Sequence, residues 1–467
     1  MSTSTSTPVS NDTSLERTLA GHVVESVRRG LPDDVLHAAA RQVAWAVGTG
    51  IGGSASDGSD LIRRAGLALG GEGTARVWNS DATTSALGAA LINGAFAKAL
   101  EFEDKYWVDP GHSFGIGPMA VPAAFAVAQT LGRSVSGREL TTAVALASDV
   151  QSRLLRSTPS SLTTPWNGTY LHGHFGAVVA AACLYELDEE QMMNAFGMVY
   201  AQLAGNWQSQ LDPSLGVRMQ AGYSARNGVT AARLAREGVT GTHQFLDGRF
   251  GFYNAFLPEN DRSALTAELG VRYWGSTVAY KGWPCGAVAH PGLEAIERML
   301  AARPDLTPDD IVAIEVDGTT RMEIMTEPRA ERWNPTTHIG AEFSAPWVFA
   351  YTIVHGRLDL RYSSDEALAD PRVREVVPRV SITMNRQATD GVTVRLRLAD
   401  GTELSETVVE AKGHPTRPLS DADMLERFRM CLEFGRPNAA PAEVDALWHA
   451  ILTLPSLDDC RDLLAQV

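Results

Sequence analysis

The chain has 467 residues, 40 of them Lys or Arg against 55 Asp or Glu, for a formal net charge of −15. That excess of acid argues against nucleic acid or an anionic membrane surface as the main partner, so any anionic ligand must be met by a local basic pocket. The length exceeds one ordinary core and fits two large domains or three small ones.

The first twelve residues are polar and low in complexity, with no basic region followed by an apolar one, and read as a disordered tail rather than a signal peptide. No apolar run approaches the roughly 20 residues of a membrane span. The four cysteines (Cys183, Cys285, Cys431, Cys460) form no CxxC pair and suggest neither a disulfide framework nor a zinc site. A cytoplasmic, metal-independent protein is the expectation. Asp12 or Thr13 is placed to cap a first helix along Leu15, Leu19, Val23 and Val27, and a second opens at Pro32-Asp33-Asp34.

Alanine-rich helical segments follow at residues 84–104, 118–131, 137–156, 174–186, 189–203 and 222–237, with little two-residue alternation, which predicts a helical bundle. Past Gly270 the texture changes. Strand-like runs stand at 271–280, 311–318, 379–385, 392–398 and 403–410, with helical stretches near 291–303 and 345–355 between them, the pattern of a smaller α+β unit. After Gly413-His414-Pro415 the chain turns helical again over 420–434 and 441–454. The expected fold is therefore mainly α: a helical domain built from residues 13–270 and 413–467, with an inserted α+β domain over 271–412.

Ionisable groups crowd one junction, AKALEFEDKYWVDPGHSFG. Continued as a helix, it sets Glu101 on one face with Asp104 and Lys105 while Glu103 points away. A carboxylate, an ammonium and the imidazole of His112 at one place suit proton transfer beside a carboxylate. The same segment contains Gly111-His112-Ser113-Phe114-Gly115, a G-x-S-x-G string. A nucleophile elbow needs a buried strand before the first glycine, and the charged, Pro-containing lead-in argues against a serine hydrolase.

Five stretches in order, NGAFAKALEFEDKY with GHSFG, YLHGHFGAVVAAA, GYSARNGVTAARLAREGVTG, YKGWPCGAVAHPGLEAI and GHPTRPLS, resemble the MmgE/PrpD family. That family includes 2-methylcitrate dehydratase, cis-aconitate decarboxylase and iminodisuccinate epimerase. The resemblance implies an all-helical domain formed from both chain ends, an inserted α+β lid, a homodimer, and an interdomain site that needs no organic cofactor. Matched position by position, it points to Glu101, Lys105, His112, Lys281 and His290. It also shows departures: Tyr170 stands where the family pattern has a histidine, His172 and His174 replace threonines, Val217 beside Arg218 replaces a lysine, and a lid tyrosine has no clear counterpart around 318–322.

Dehydration, decarboxylation and epimerisation of a polycarboxylic acid all make or break a bond next to a carboxylate, where charge develops and must be met by fixed donors or cations. The expectation is a cofactor-independent lyase, with an epimerase or a repurposed protein of the same fold as alternatives. His112 and His290, one from each domain, are expected to face each other as the proton-transfer pair, with Glu101, Lys105 and Tyr170 beside them. Lys281, Arg218, His172 and His174 are expected to bind the carboxylate-bearing substrate.

Overall fold

A computed structural model describes residues 14–109, 112–158, 164–461 and 463. It is mainly helical, with small sheets. Among the described residues the apolar side chains gather into two large cores and several satellites. The first core draws on residues 19–273 and 419–463 together with Leu360, and the second draws otherwise on 283–411.

Asp33–Ser54, a run of Ala, Val, Gly and one Trp, is buried along nearly its whole length at the centre of the first core. Around it pack Ala86–Lys98, Gly117–Ala128 and Gly137–Ser157, together with the late helices Asp421–Gly435 and Pro441–Leu452. Local signals fix where several helices start. Ser136 and Glu139 form a capping box ahead of Gly137–Ser157, and Ser420 with Asp423 does the same ahead of Asp421–Gly435. Ser14 caps Leu15–Arg29 by accepting from the Arg17 N–H; Asp12 and Thr13, expected in that role, lie outside the described residues.

The second core is a four-stranded mixed sheet covered by the helices His290–Ala302 and Ala345–His355. Its strands run in the order Val380–Arg386, Ile311–Thr319, Val392–Leu398, Glu403–Val408, the first pair parallel and the others antiparallel. The chain passes from the first core to this one near residue 282 and returns near 412, and the two crossings touch: a Cβ at Gly282 would lie 2.8 Å from the Lys412 carbonyl oxygen.

The structure corrects the sequence reading in two places. The helix expected over 84–104 ends at Lys98, and Glu101 stands in the left-handed region with φ 47°. From there Asp104–Asp109 runs as a strand, paired antiparallel with His112–Gly115 and, at Asp104 and Lys105, with Ala279–Tyr280. On a strand alternate residues share a face, so Glu103 goes with Lys105 and it is Asp104 that points away. Residues 271–280 are likewise no strand of the α+β unit. Trp274–Thr277 is a 3₁₀ turn, fixed where the Trp274 N–H donates to buried Asp149 at 2.7 Å, and only Ala279–Tyr280 is extended. Tyr273 and Tyr280 pack into the first core. A further helix, Ser59–Gly70, was not expected.

Candidate active site

The strand that replaces the expected helix end builds the floor of a cleft. Its pairing with Ala279–Tyr280 delivers the next residue, Lys281, beside Glu101 and Glu103. Lys281 Nζ donates to the Glu101 carbonyl, and it lies 3.1 Å from Glu101 Oε2 and 3.3 Å from Glu103 Oε2. Lys98, on the last turn of its helix, pairs with Glu101 and lies 3.2 Å from Glu103 Oε2. Lys105 lies 2.6 Å from Glu103 Oε1. Three lysines thus converge on two carboxylates, all but Lys105 below 7% side-chain exposure. The left-handed turn at Glu101 is what folds its carboxylate back over Lys98, backbone strain of the kind that persists where surrounding contacts hold it.

Charge in this cluster is finely balanced. Burial lowers the Lys98 ammonium to about 7, helped by Lys281 and Lys105 and opposed by Glu103. Burial also lowers Lys105. Glu103 goes the other way: burial disfavours its charge, yet Lys105, Lys281 and Lys98 together hold it well below the usual carboxylate range. On the opposite strand face, burial raises Asp104 to about 6, against hydrogen bonds from Gln42 and the Gly117 N–H. Asp104 is an anchor for the start of the helix Gly117–Ala128.

Above this floor lie two connected chambers. The inner, of about 740 Å³, is lined by Lys98, Glu101, Glu103 and Lys105 with His112, Tyr170, Lys281 and Arg321. The outer, of about 1000 Å³, shares Lys105, Ser113, Lys281, Ala287, Val288 and Arg321 with it and adds His290. Tyr170 Oη is buried with no hydrogen-bond partner, and burial with the charges of Glu103 and Glu342 raises the phenol well above its ordinary value. Arg321, from the turn after Ile311–Thr319, donates to His112 Nδ1 at 2.9 Å. A guanidinium only donates, so Nδ1 accepts and the neutral His112 ring carries its proton on Nε2.

His290 opens the helix His290–Ala302, and its Nε2 is buried without a partner. Burial, with Lys281 and Lys105 nearby, lowers it to about 3, so the free ring is neutral. Its ring packs edge-on to Trp283 at 5.3 Å, and the Trp283 indole donates to Glu297 at 2.8 Å.

Of the residues expected from sequence, Glu101, Lys105, His112, Tyr170, Lys281 and His290 line this cleft. His172, His174 and Arg218 are not among its lining residues. His172 hydrogen-bonds the Gly168 carbonyl and Thr158, and His174 the Tyr170 carbonyl and Ser224; burial lowers both to about 4. They are internal ties of the first core. Arg218 is engaged by Glu342 at 3.0 Å and by Ser56 and the Asp57 carbonyl, and neighbouring Val217 packs with Ile339 and Phe343. Lys98, Glu103 and Arg321 were missed, and Arg321 falls in the 318–322 stretch where a tyrosine was sought. Ser113 lies on a hairpin strand rather than at a strand-to-helix turn, which removes the nucleophile-elbow reading; Gly111 of that string lies outside the described residues. Among the described residues no cluster of His, Cys, Asp or Glu is arranged to hold a metal ion, and no helix is long and apolar enough to cross a membrane.

Two family models match the chain: the MmgE/PrpD N-terminal domain over residues 17–264 and the MmgE/PrpD C-terminal domain over residues 283–450. Curated relatives align end to end at low identity. A cis-aconitate decarboxylase-like protein, oryM, of Aspergillus oryzae is 24% identical over 493 residues, covering 100% of this chain and 99% of its own. The cis-aconitate decarboxylase of Aspergillus terreus is 25% identical over 460 residues (93% and 92%), and that of Homo sapiens 23% over 455 (93% and 90%).

Proposed function

The chain belongs to the MmgE/PrpD family, and on that premise we propose that it is a lyase that decarboxylates a small unsaturated polycarboxylic acid of the cis-aconitate type. The observation that carries this reading is the inner chamber, where four basic side chains, Lys98, Lys105, Lys281 and Arg321, outnumber the two carboxylates Glu101 and Glu103 around a space also lined by Tyr170. In a protein of net charge −15, such a cationic pocket is the local exception an anionic substrate requires.

Each residue has a role in that chemistry. Lys98, Lys105, Lys281 and Arg321 meet the carboxylates, while Glu101 and Glu103 hold the lysines in register. As the bond to the departing carboxylate breaks, its electron pair shifts through the substrate's double bond onto the carbon beside a second carboxylate. The charge developing there is met by the lysines and by the Tyr170 hydroxyl. The electron sink is the substrate's own conjugated carboxylate, so no organic cofactor is needed. A proton then goes to that carbon. His290 is neutral in the free enzyme, and a polyanion beside it favours the imidazolium, so the donor forms in the complex. His112 Nε2–H faces the same ligand from the other core.

Dehydration of a hydroxy acid is the second reading, favoured by one observation: a neutral His290 with an unpartnered Nε2 is also the form a proton-abstracting base needs. One experiment separates the two. Purified protein is incubated in D₂O with cis-aconitate and, separately, with citrate-type hydroxy acids, following CO₂ release and proton NMR. The expected result is loss of one CO₂ from cis-aconitate with one deuterium fixed on carbon, and a fall in kcat of about 10²- to 10⁴-fold in His290→Gln. Water loss from the hydroxy acid without CO₂ makes it a dehydratase. Inertness toward both acids removes the lyase reading.

A further inference from the structure

His290 moves its proton at Nε2, an atom with no hydrogen-bond partner of its own. Hydrogen bonds to the backbone of Cys285 and Trp283 act on the ring, and with Nε2 unpartnered they fall to Nδ1. The imidazole also packs against the Trp283 indole, ring centres 5.3 Å apart. Trp283 therefore bears on His290 through both its backbone and its side chain, and a displaced indole would let the imidazole turn and aim Nε2 elsewhere.

The buried Trp283 indole is tethered in turn, its N–H donating to Glu297 at 2.8 Å. Glu297 stands two turns beyond His290 on the helix His290–Ala302, and so on the same face. It is not among the residues lining either chamber. With Trp283 it lines a separate cavity of about 1090 Å³, shared with Leu358, Arg427 and Met430. Burial raises the Glu297 carboxyl, against the Trp283 hydrogen bond, the Arg427 charge and a hydrogen bond from the Leu358 backbone. The chain path beside Trp283 has its own support, since the Tyr362 hydroxyl donates to the Pro284 carbonyl at 2.7 Å. An apolar pair would fill the space of Trp283 and Glu297 at little cost in stability, so what the carboxylate adds is a fixed place for the indole.

Resting on the lyase reading above, we propose that Glu297 is a positioning residue, which by holding the Trp283 indole sets the angle at which His290 Nε2 meets the substrate. It touches no ligand and acts on the reaction only through Trp283 and His290.

The test is the double variant Trp283→Phe/Glu297→Leu, which removes donor and acceptor together and leaves neither orphaned, beside Glu297→Gln, whose amide oxygen still accepts from the indole. The double variant is expected to keep the wild-type Tm and KM while kcat from CO₂ release falls by about 10- to 10²-fold, the cost of a reacting group misplaced by about 1 Å. Glu297→Gln should restore kcat to near the wild-type value. In a His290→Gln background the double change should cost nothing further, because the group it positions is gone. Independently of turnover, the His290 imidazole resonance, assigned by its loss in His290→Gln, should move in the double variant and stay in place in Glu297→Gln. An unchanged kcat, an equal further loss in the His290→Gln background or an unmoved resonance overturns the positioning role. If the wild type turns over no acid, the lyase reading falls, and the resonance alone decides whether Glu297 positions His290.

Discussion

Lys98 is the residue whose charge state lies nearest the working pH, because burial and the neighbouring lysines bring it to about 7. Below that pH it is an ammonium and adds a cation to the inner chamber; above it the chamber loses that cation while the substrate stays fully ionised. The kcat/KM for an anionic substrate should therefore fall as pH rises through about 7, and Lys98→Arg, permanently charged, should remove that limb even if its overall rate is lower. The check is a pH profile of kcat and KM for both proteins. An unchanged alkaline limb in Lys98→Arg assigns it to another group. His290 adds a second signature. Its free-enzyme value of about 3 is set by burial beside Lys281 and Lys105, and a donor must be protonated, so the alkaline limb that His290 gives kcat, which reports the complex, should lie at higher pH than its contribution to kcat/KM.

At the scale of elements, the hairpin strand Asp104–Asp109 holds the cleft together because its two faces do different work: Glu103 and Lys105 toward the cleft, Asp104 toward the start of the helix Gly117–Ala128. A Cβ at Gly117 would lie 2.7 Å from Asp104 Oδ1, so this glycine permits the close approach. Gly117→Ala should cost roughly 1–3 kcal/mol of stability and shift the strand enough to lower kcat. Thermal denaturation and kinetics check it, and an unchanged Tm would show that the Asp104 anchor yields freely. This hairpin is also where the sequence was least legible. Gly137–Ser157 could be read within a residue or two because its capping box and apolar period are local, and Val392–Leu398 because its alternation is. The strand at 104–109 pairs with its neighbour His112–Gly115, but its first two residues also pair with Ala279–Tyr280, some 170 residues on, and no local pattern announces that partner. Lys98 was missed for a related reason: a lysine on a last helical turn reads as a solvated cation, and only tertiary packing buries it. Conversely, Arg218, His172 and His174 carried the right chemistry but face partners inside the protein.

For the whole molecule, the cleft lies where elements of the two cores meet: Lys98, Glu101, Lys105 and Tyr170 come from one side, Arg321 and His290 from the other. We take the two cores as two domains. Their crossings lie side by side at Gly282 and Gly413, where Gly413 has φ 94° and approaches the Tyr280 carbonyl too closely for a side chain. The helical side carries a group of exposed apolar side chains. Leu61 and Leu69 on Ser59–Gly70, Leu87 on Ala86–Lys98 and Tyr223 on Gly216–Arg236 are exposed, Leu69 by 75%, on three helices that pack together. Large exposed aliphatic groups gathered on adjoining helices mark an interaction surface more often than a bare one. Together with the homodimer implied by the family resemblance, they lead us to expect a twofold dimer through this face, about 100 kDa from a 50.2 kDa chain. Sedimentation at micromolar concentration measures it directly, and Leu69→Arg should shift the mass toward the monomer with kcat retained, since Leu69 is not among the residues lining the cleft. A wild-type mass near that of one chain would leave those leucines without a partner and remove the dimer from this account.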